Sequence, residues 1–204
     1  MAAPRRRMNK RQCVIDAFSH RETEYVPYNV EMTTELARSV ADALGIAKEG
    51  FFDWAGNHVE KCGLEKGETI RPGFYRDEYG VVWDRSGLDK DIGILEHITF
   101  EEPDMGSYAF PGVDAQEIED KCAAFLAAER DTFKFVKLGT TLFERAWSLR
   151  GLENVFMDFL LEEGFMHALL DRITERNMEM LDVALRYDFD GVYFGDDYGQ
   201  QTSL

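Results

Sequence analysis

Apolar positions along this chain change their spacing several times, and each change predicts an element. Val14, Ile15, Ala17 and Phe18 share one face of a helix over 8–20. A strand over 26–31 follows, with Pro27 tolerable near its start. Thr33 or Thr34 caps a helix over 35–44, which Gly45 ends. Residues 51–64, with their aromatics and Gly56, fit a loop, a short helix or a strand. From 67 to 91 the pattern turns to Gly, Pro and aromatics. Phe74-Tyr75-Arg76 and Val81-Val82-Trp83 read there as a β-hairpin turning at Glu78-Tyr79-Gly80.

After a loop over 104–113, Asp114 caps a helix running to about Arg130, with Ile118, Cys122, Phe125 and Leu126 inward. A strand over 133–138 delivers Gly139-Thr140-Thr141, and helices follow over 142–149 and 152–161. A long helix over 164–187 shows Leu169, Leu170, Ile173, Met180, Leu181, Ala184 and Leu185 at helical spacing. Asp188-Phe189-Asp190-Gly191 turns into Val192-Tyr193-Phe194, which reads as a buried parallel strand. Strands alternating with helices imply βα units and a mainly parallel sheet.

Composition narrows the function classes. The net charge of −16 argues against a nucleic-acid binder, which needs a basic surface to release counterions. No apolar run reaches the ~18 residues that a membrane span needs. The basic stretch Arg5, Arg6, Arg7, Lys10 and Arg11 lacks a following apolar region and is not a secretory signal. Residues 1–12 are expected to be a disordered start, with 13–204 as one domain. Cys13, Cys62 and Cys122 are an odd, scattered set, so a disulfide framework is not expected and a reducing cytoplasm fits.

Several segments, in order and spacing, resemble the uroporphyrinogen decarboxylase superfamily, which includes corrinoid-dependent methyltransferases. They are "HRETEYVPYNVE" from His20, Asp77-Glu78-Tyr79-Gly80-Val81-Val82-Trp83, and the run from Leu138 to Trp147. Arg150-Gly151-Leu152-Glu153-Asn154 and the ending from Asp190 to Gln201 complete the set. The resemblance implies an α/β fold: a partial TIM-type (β/α)8 barrel with an N-terminal helical segment and a β-hairpin excursion. On that plan roughly four later strands, the second half of the barrel, lie outside the chain. The chain is then a fragment, or a subunit that needs a second chain to complete the barrel.

Two departures separate the branches of that family. Decarboxylases carry arginines after the first strand to hold the acidic side chains of a porphyrinogen. Here the segment is Glu31-Met32-Thr33-Thr34-Glu35, with Arg38 the one nearby cation, and a negative mouth repels a polycarboxylate. The favoured activity is methyl transfer between a corrinoid protein and a thiol-type acceptor, with uroporphyrinogen decarboxylation as the alternative. The methyltransferases use zinc on a His-x-Cys pair and a further Cys. No His-x-Cys occurs here, so zinc would come through the missing half and no cofactor is assigned to this chain. His58 and Cys62 could share a helix face, but two ligands do not make a site.

The resemblance also points to site residues. Asp196 and Asp197 leave the last strand where β/α barrels hold substrates, and are the catalytic candidates. Their side chains point opposite ways, so one faces the mouth and the other can cap a helix that follows. Gln201, Glu144, Arg145 and Glu31 are candidates for substrate binding, with a Glu144–Arg145 salt bridge as the bland reading of that pair. Trp83, Trp147 and Tyr79 read as packing. The expected partners are a small-molecule substrate or a corrinoid protein, together with self-association or a complementary chain. Neither nucleic acid nor membrane is expected.

Overall fold

A computed structural model describes residues 9–47, 50–87 and 93–199. Helix α1 (Lys10–Phe18) begins where the Asn9 side chain accepts a hydrogen bond from the Gln12 amide. Residues 10–12 of the expected start lie in this helix, and Arg11 is bound to Asp190. Residues 26–31 form no strand. Pro27 has no N–H to give, and the Asn57 side chain takes the place of a ladder partner. It accepts from Val30 N at 2.8 Å and donates to Val30 O at 3.0 Å.

Helix α2 (Thr34–Leu44) is capped by Thr33 and ended by Gly45 in the left-handed region. The ambiguous stretch resolves into a short helix, α3 (Phe51–Ala55), and a strand, β1 (Val59–Gly63). The expected hairpin is the centre of a larger antiparallel sheet. Its strands are β2 (Gly67–Arg71), β3 (Phe74–Asp77), β4 (Val82–Asp84) and β5 (Ile94–Leu95), in that order. Helix α4 (Ala115–Leu126) is capped by Asp114 and stops short of Arg130. Strand β6 (Phe133–Thr140), helices α5 (Phe143–Arg150), α6 (Leu152–Leu161) and α7 (Glu163–Ala184), and strand β7 (Gly191–Gly195) follow.

Strands β1, β6 and β7 form a parallel sheet in the order β1-β6-β7. Its register puts Cys62, Val136 and Val192 on one face and Lys61, Phe135, Lys137 and Tyr193 on the other. The first face is covered by α4 and α7: Cys62, Leu64, Val136 and Leu138 pack against Ile118, Cys122, Met180 and Leu181. Burying each large side chain there contributes about 1.5–3 kcal/mol. The second face is polar toward the C-terminal ends of the strands. The sheet does not close, so the described residues form an open α/β arrangement of one parallel and one antiparallel sheet. Strand β7 is its edge, and Phe194 is 57 % exposed where a buried strand is expected.

A second core joins the antiparallel sheet to the helices. Val81 and Trp83 pack there with Leu149, Val155, Met166, Leu169 and Ile173. Two buried ion pairs reinforce the joint, Asp77 with Arg145 and Glu78 with Arg176, each at 2.7 Å. Both guanidinium groups also lie over the Tyr79 ring, at 4.1 and 5.0 Å from its centroid. The turn that holds these residues closes on Gly80, whose φ of +80° a side chain would strain. Among the described residues no helix is long and apolar enough to cross a membrane.

Candidate functional site

Beyond Gly63, Glu65 leaves the C-terminal end of β1, and Lys137 and Gly139 lie in the last part of β6. Glu144 and Arg145 open α5. These residues wall a cavity of about 280 Å³, closed from the other side by Tyr75, Asp77 and Trp83 of the antiparallel sheet. Larger clefts lie along the β1 edge (about 440 Å³) and beside α1 (about 630 Å³). Size does not decide between them. The smaller cavity stands at the C-terminal ends of β1 and β6, where β/α folds hold their ligands.

Lys137 makes a minor contribution to the electrostatics, behind larger causes at each group. Its charge acts on Glu31, Glu65 and Glu144 together, and in each case favours the carboxylate. Burial nevertheless pushes the Glu65 carboxyl above the usual carboxylate range. Its Oε1 is buried and has no hydrogen-bond partner among the described residues. Room for that carboxyl comes from Gly139, where an added Cβ would meet Glu65 Oε1 at 2.5 Å. Glu144 is raised by burial, and next by the charges of Asp196 and Asp197.

Arg145 does not pair with Glu144, because adjacent residues on a helix do not face each other. Its side chain is 5 % exposed and turns inward to Asp77. Its Nη1 also reaches Ser148 Oγ at 3.3 Å, and its Nε has no partner among the described residues. Glu31 pairs with Lys61 at 2.6 Å, which holds it below the usual carboxylate range, and it lines the cleft at the β1 edge. Lys61 in turn lies 4.0 Å above the Tyr193 ring.

The two aspartates follow β7, and Asp196 takes a capping role. Its carboxylate accepts from the amides of Leu142, Phe143 and Glu144 at 3.0, 2.9 and 2.7 Å. It thus caps α5, the helix after the neighbouring strand β6, rather than a helix that follows β7. Burial alone would raise its pKa, but the amides of Glu144 and Phe143, the Tyr198 hydroxyl and the Leu142 amide together lower it. Asp197 is exposed and accepts from the Gly199 amide at 2.9 Å. Gln201 lies outside the described residues.

A depressed carboxylate adds stability above its unfolded pKa, and that stability is lost as pH falls through the folded value. Asp196→Ala is therefore expected to destabilise the chain by about 1–2 kcal/mol at neutral pH. Urea titrations should show the difference shrinking as the carboxylates protonate. A pH-independent difference would contradict the capping role.

Other candidates are structural. Trp83 and Trp147 meet edge to face, 5.9 Å apart, on the cavity wall. His58 is buried between the Tyr25 and Tyr28 rings and precedes strand β1, so it shares no helix face with Cys62. Cys13, Cys62 and Cys122 are free and buried, and burial pushes the Cys62 thiol up to about 12. Among the described residues no three His, Cys, Asp or Glu side chains are grouped to hold a metal ion. Sequence reasoning missed Glu65, Lys137 and Asp77. Lys137 carried a signal, since it alternates with Val136 and Leu138 and so must point to the face opposite the core. No family model, curated protein or solved structure matches this chain.

Proposed function

We propose that this chain is the front part of a uroporphyrinogen decarboxylase superfamily barrel and serves methyl transfer between a corrinoid protein and a thiol-type acceptor. The observation that carries the reading is the cavity at the C-terminal ends of β1 and β6, which Lys137 lines together with Glu65 and Glu144. It suits a small polar acceptor. The same carboxylates, with Asp196 and Asp197 beside them, oppose a porphyrinogen bearing many acidic groups. Zinc finds no ligand set in the described residues, so no step is assigned to it here. The chain's own groups bind and orient the acceptor: Lys137 supplies charge, and Glu144 can take or hold its proton.

A second reading, a subunit completed by another chain, is favoured by α6. There Leu160 and Leu161 are 81 % and 74 % exposed.

The test is to incubate the purified chain with methylcobalamin and a small thiol, with and without zinc, and to follow demethylation by absorbance. Sedimentation of the same sample reports self-association. Transfer that falls about 100-fold in Glu144→Gln supports the first reading. A self-associated chain without transfer supports the second. A monomer without transfer would remove the second reading, and transfer unchanged in Glu144→Gln would remove the first.

A further inference from the structure

Strand β1 is the other edge of the parallel sheet, and the cleft of about 440 Å³ runs along it. The ladder to β6 fixes which main-chain groups point into that cleft. Phe133 N donates to His58 O at 2.8 Å, and Leu64 N donates to Lys137 O at 3.2 Å. Residues 58, 60, 62 and 64 therefore turn their N–H and C=O groups to β6, and those of Val59 and Lys61 point outward. The side chains of Val59 and Lys61 lie on one face of the sheet and that of Glu60 on the other. A cleft lined by all three residues lies against the strand edge itself.

Nothing in the described chain pairs with that edge beyond its start. His58 N donates to Tyr28 O at 3.0 Å, but the outward groups of Val59 and Lys61 make no such bond among the described residues. Asn29, Val30, Glu31 and Met32 stand across the cleft instead. The N–H and C=O that Val30 could offer are both taken by the Asn57 side chain. Phe51, Phe52 and Phe125 supply apolar walls.

An outward C=O at Val59, followed by an outward N–H at Lys61, matches a flat group with a donor beside an acceptor. Val59 O accepts from an exocyclic amine while Lys61 N–H donates to the neighbouring ring nitrogen. We propose that the β1 edge binds a neutral amino-substituted heteroaromatic ring of the adenine or aminopyrimidine class. The volume suits a bicyclic ring, and three phenylalanines favour a flat ring over an extended peptide. Glu31 and Glu60 on the walls oppose a phosphorylated form. This site is separate from the cavity beside Lys137 and does not depend on the activity assigned there.

Adenine is the probe, titrated calorimetrically into the purified chain beside 6-dimethylaminopurine, which keeps the ring system but has no amine donor. Adenine is expected to bind, and the dimethylated purine to bind about tenfold more weakly. Ala37→Leu keeps the helix propensity of α2 and places a larger side chain in the cleft. It should weaken adenine by about tenfold. Lys61→Ala keeps the main-chain N–H and should retain most of the affinity. No adenine binding would overturn the proposal, as would equal binding of the two purines or unchanged affinity in Ala37→Leu. Loss of binding in a folded Lys61→Ala chain would assign the contact to the side chain and overturn it too. An alternating Val-Thr peptide that binds more tightly than adenine would make the edge a peptide site instead.

Discussion

An Asp77→Ala chain is expected to lose about 3–5 kcal/mol of stability, because the change strands a buried guanidinium. Asp77 Oδ2 accepts from Arg145 Nη1 at 2.7 Å and from Trp83 Nε1 at 3.2 Å. Its Oδ1 accepts from the amides of Tyr79 and Val81, each at 3.0 Å. One carboxylate thus shapes the turn and clamps it to α5. The side chains of Asp77 and Arg145 are only 9 % and 5 % exposed, so little of the stranded guanidinium reaches solvent. Urea denaturation gives the loss directly. The companion variant Asp77→Leu with Arg145→Met should recover much of it, since the charge and its partner leave together. A single-variant loss below about 1 kcal/mol would mean the pair behaves as a surface contact.

Asp158→Ala should follow the same rule on the other side of α5. Arg150 Nε donates to Asp158 Oδ2 at 2.7 Å, and Nη1 donates to the carbonyls of Phe100 and Glu101 at 2.9 and 2.6 Å. The two carbonyls remain after the change, so the loss belongs near the lower end of about 3–5 kcal/mol. Glu175→Ala is the control, because its pair with Arg172 is more than half exposed at both ends. It should change stability by less than about 1 kcal/mol. Thermal melts of both variants decide the matter. Equal shifts would show that burial does not set the worth of these pairs.

Legibility in the sequence followed the range of the interaction that decides each element. Helix α2 was readable from Thr33 and Gly45, and α4 from Asp114, because a cap acts within one turn. The turn at Gly80 was readable for the same reason. Residues 26–31 misled because their composition is that of a strand while their partners are the Asn57 side chain and one backbone bond, from His58 N to Tyr28 O. Strand β7 was placed correctly, but its burial depends on what lies beyond the sheet edge. For the site, Glu144 and Arg145 were found from their position after β6, whereas the partner of Arg145 lies across the chain in β3. Glu65 was hidden because its distinguishing property is a missing contact, and only packing reveals that. Arg150-Gly151-Leu152-Glu153-Asn154, one of the segments carrying the resemblance, also has a structural explanation. Arg150 is buried on Asp158, Gly151 turns the corner at a φ of +86°, and Asn154 donates to the Arg150 carbonyl at 3.0 Å.

The antiparallel sheet sits in the chain between two strands that pair with each other, and this has a kinetic consequence. Strands β2 to β5 meet their neighbours across short connections, whereas Val59 must find Phe133. Closing the longer loop costs more chain entropy before any contact rewards it. The local sheet should therefore assemble first and shorten the effective loop. Its turn, carrying Asp77 and Glu78, would then present paired charges to the two arginines as α5 and α7 arrive. A lesion in that turn would slow folding as well as weaken the folded state, and its cost would be divided between the two rates.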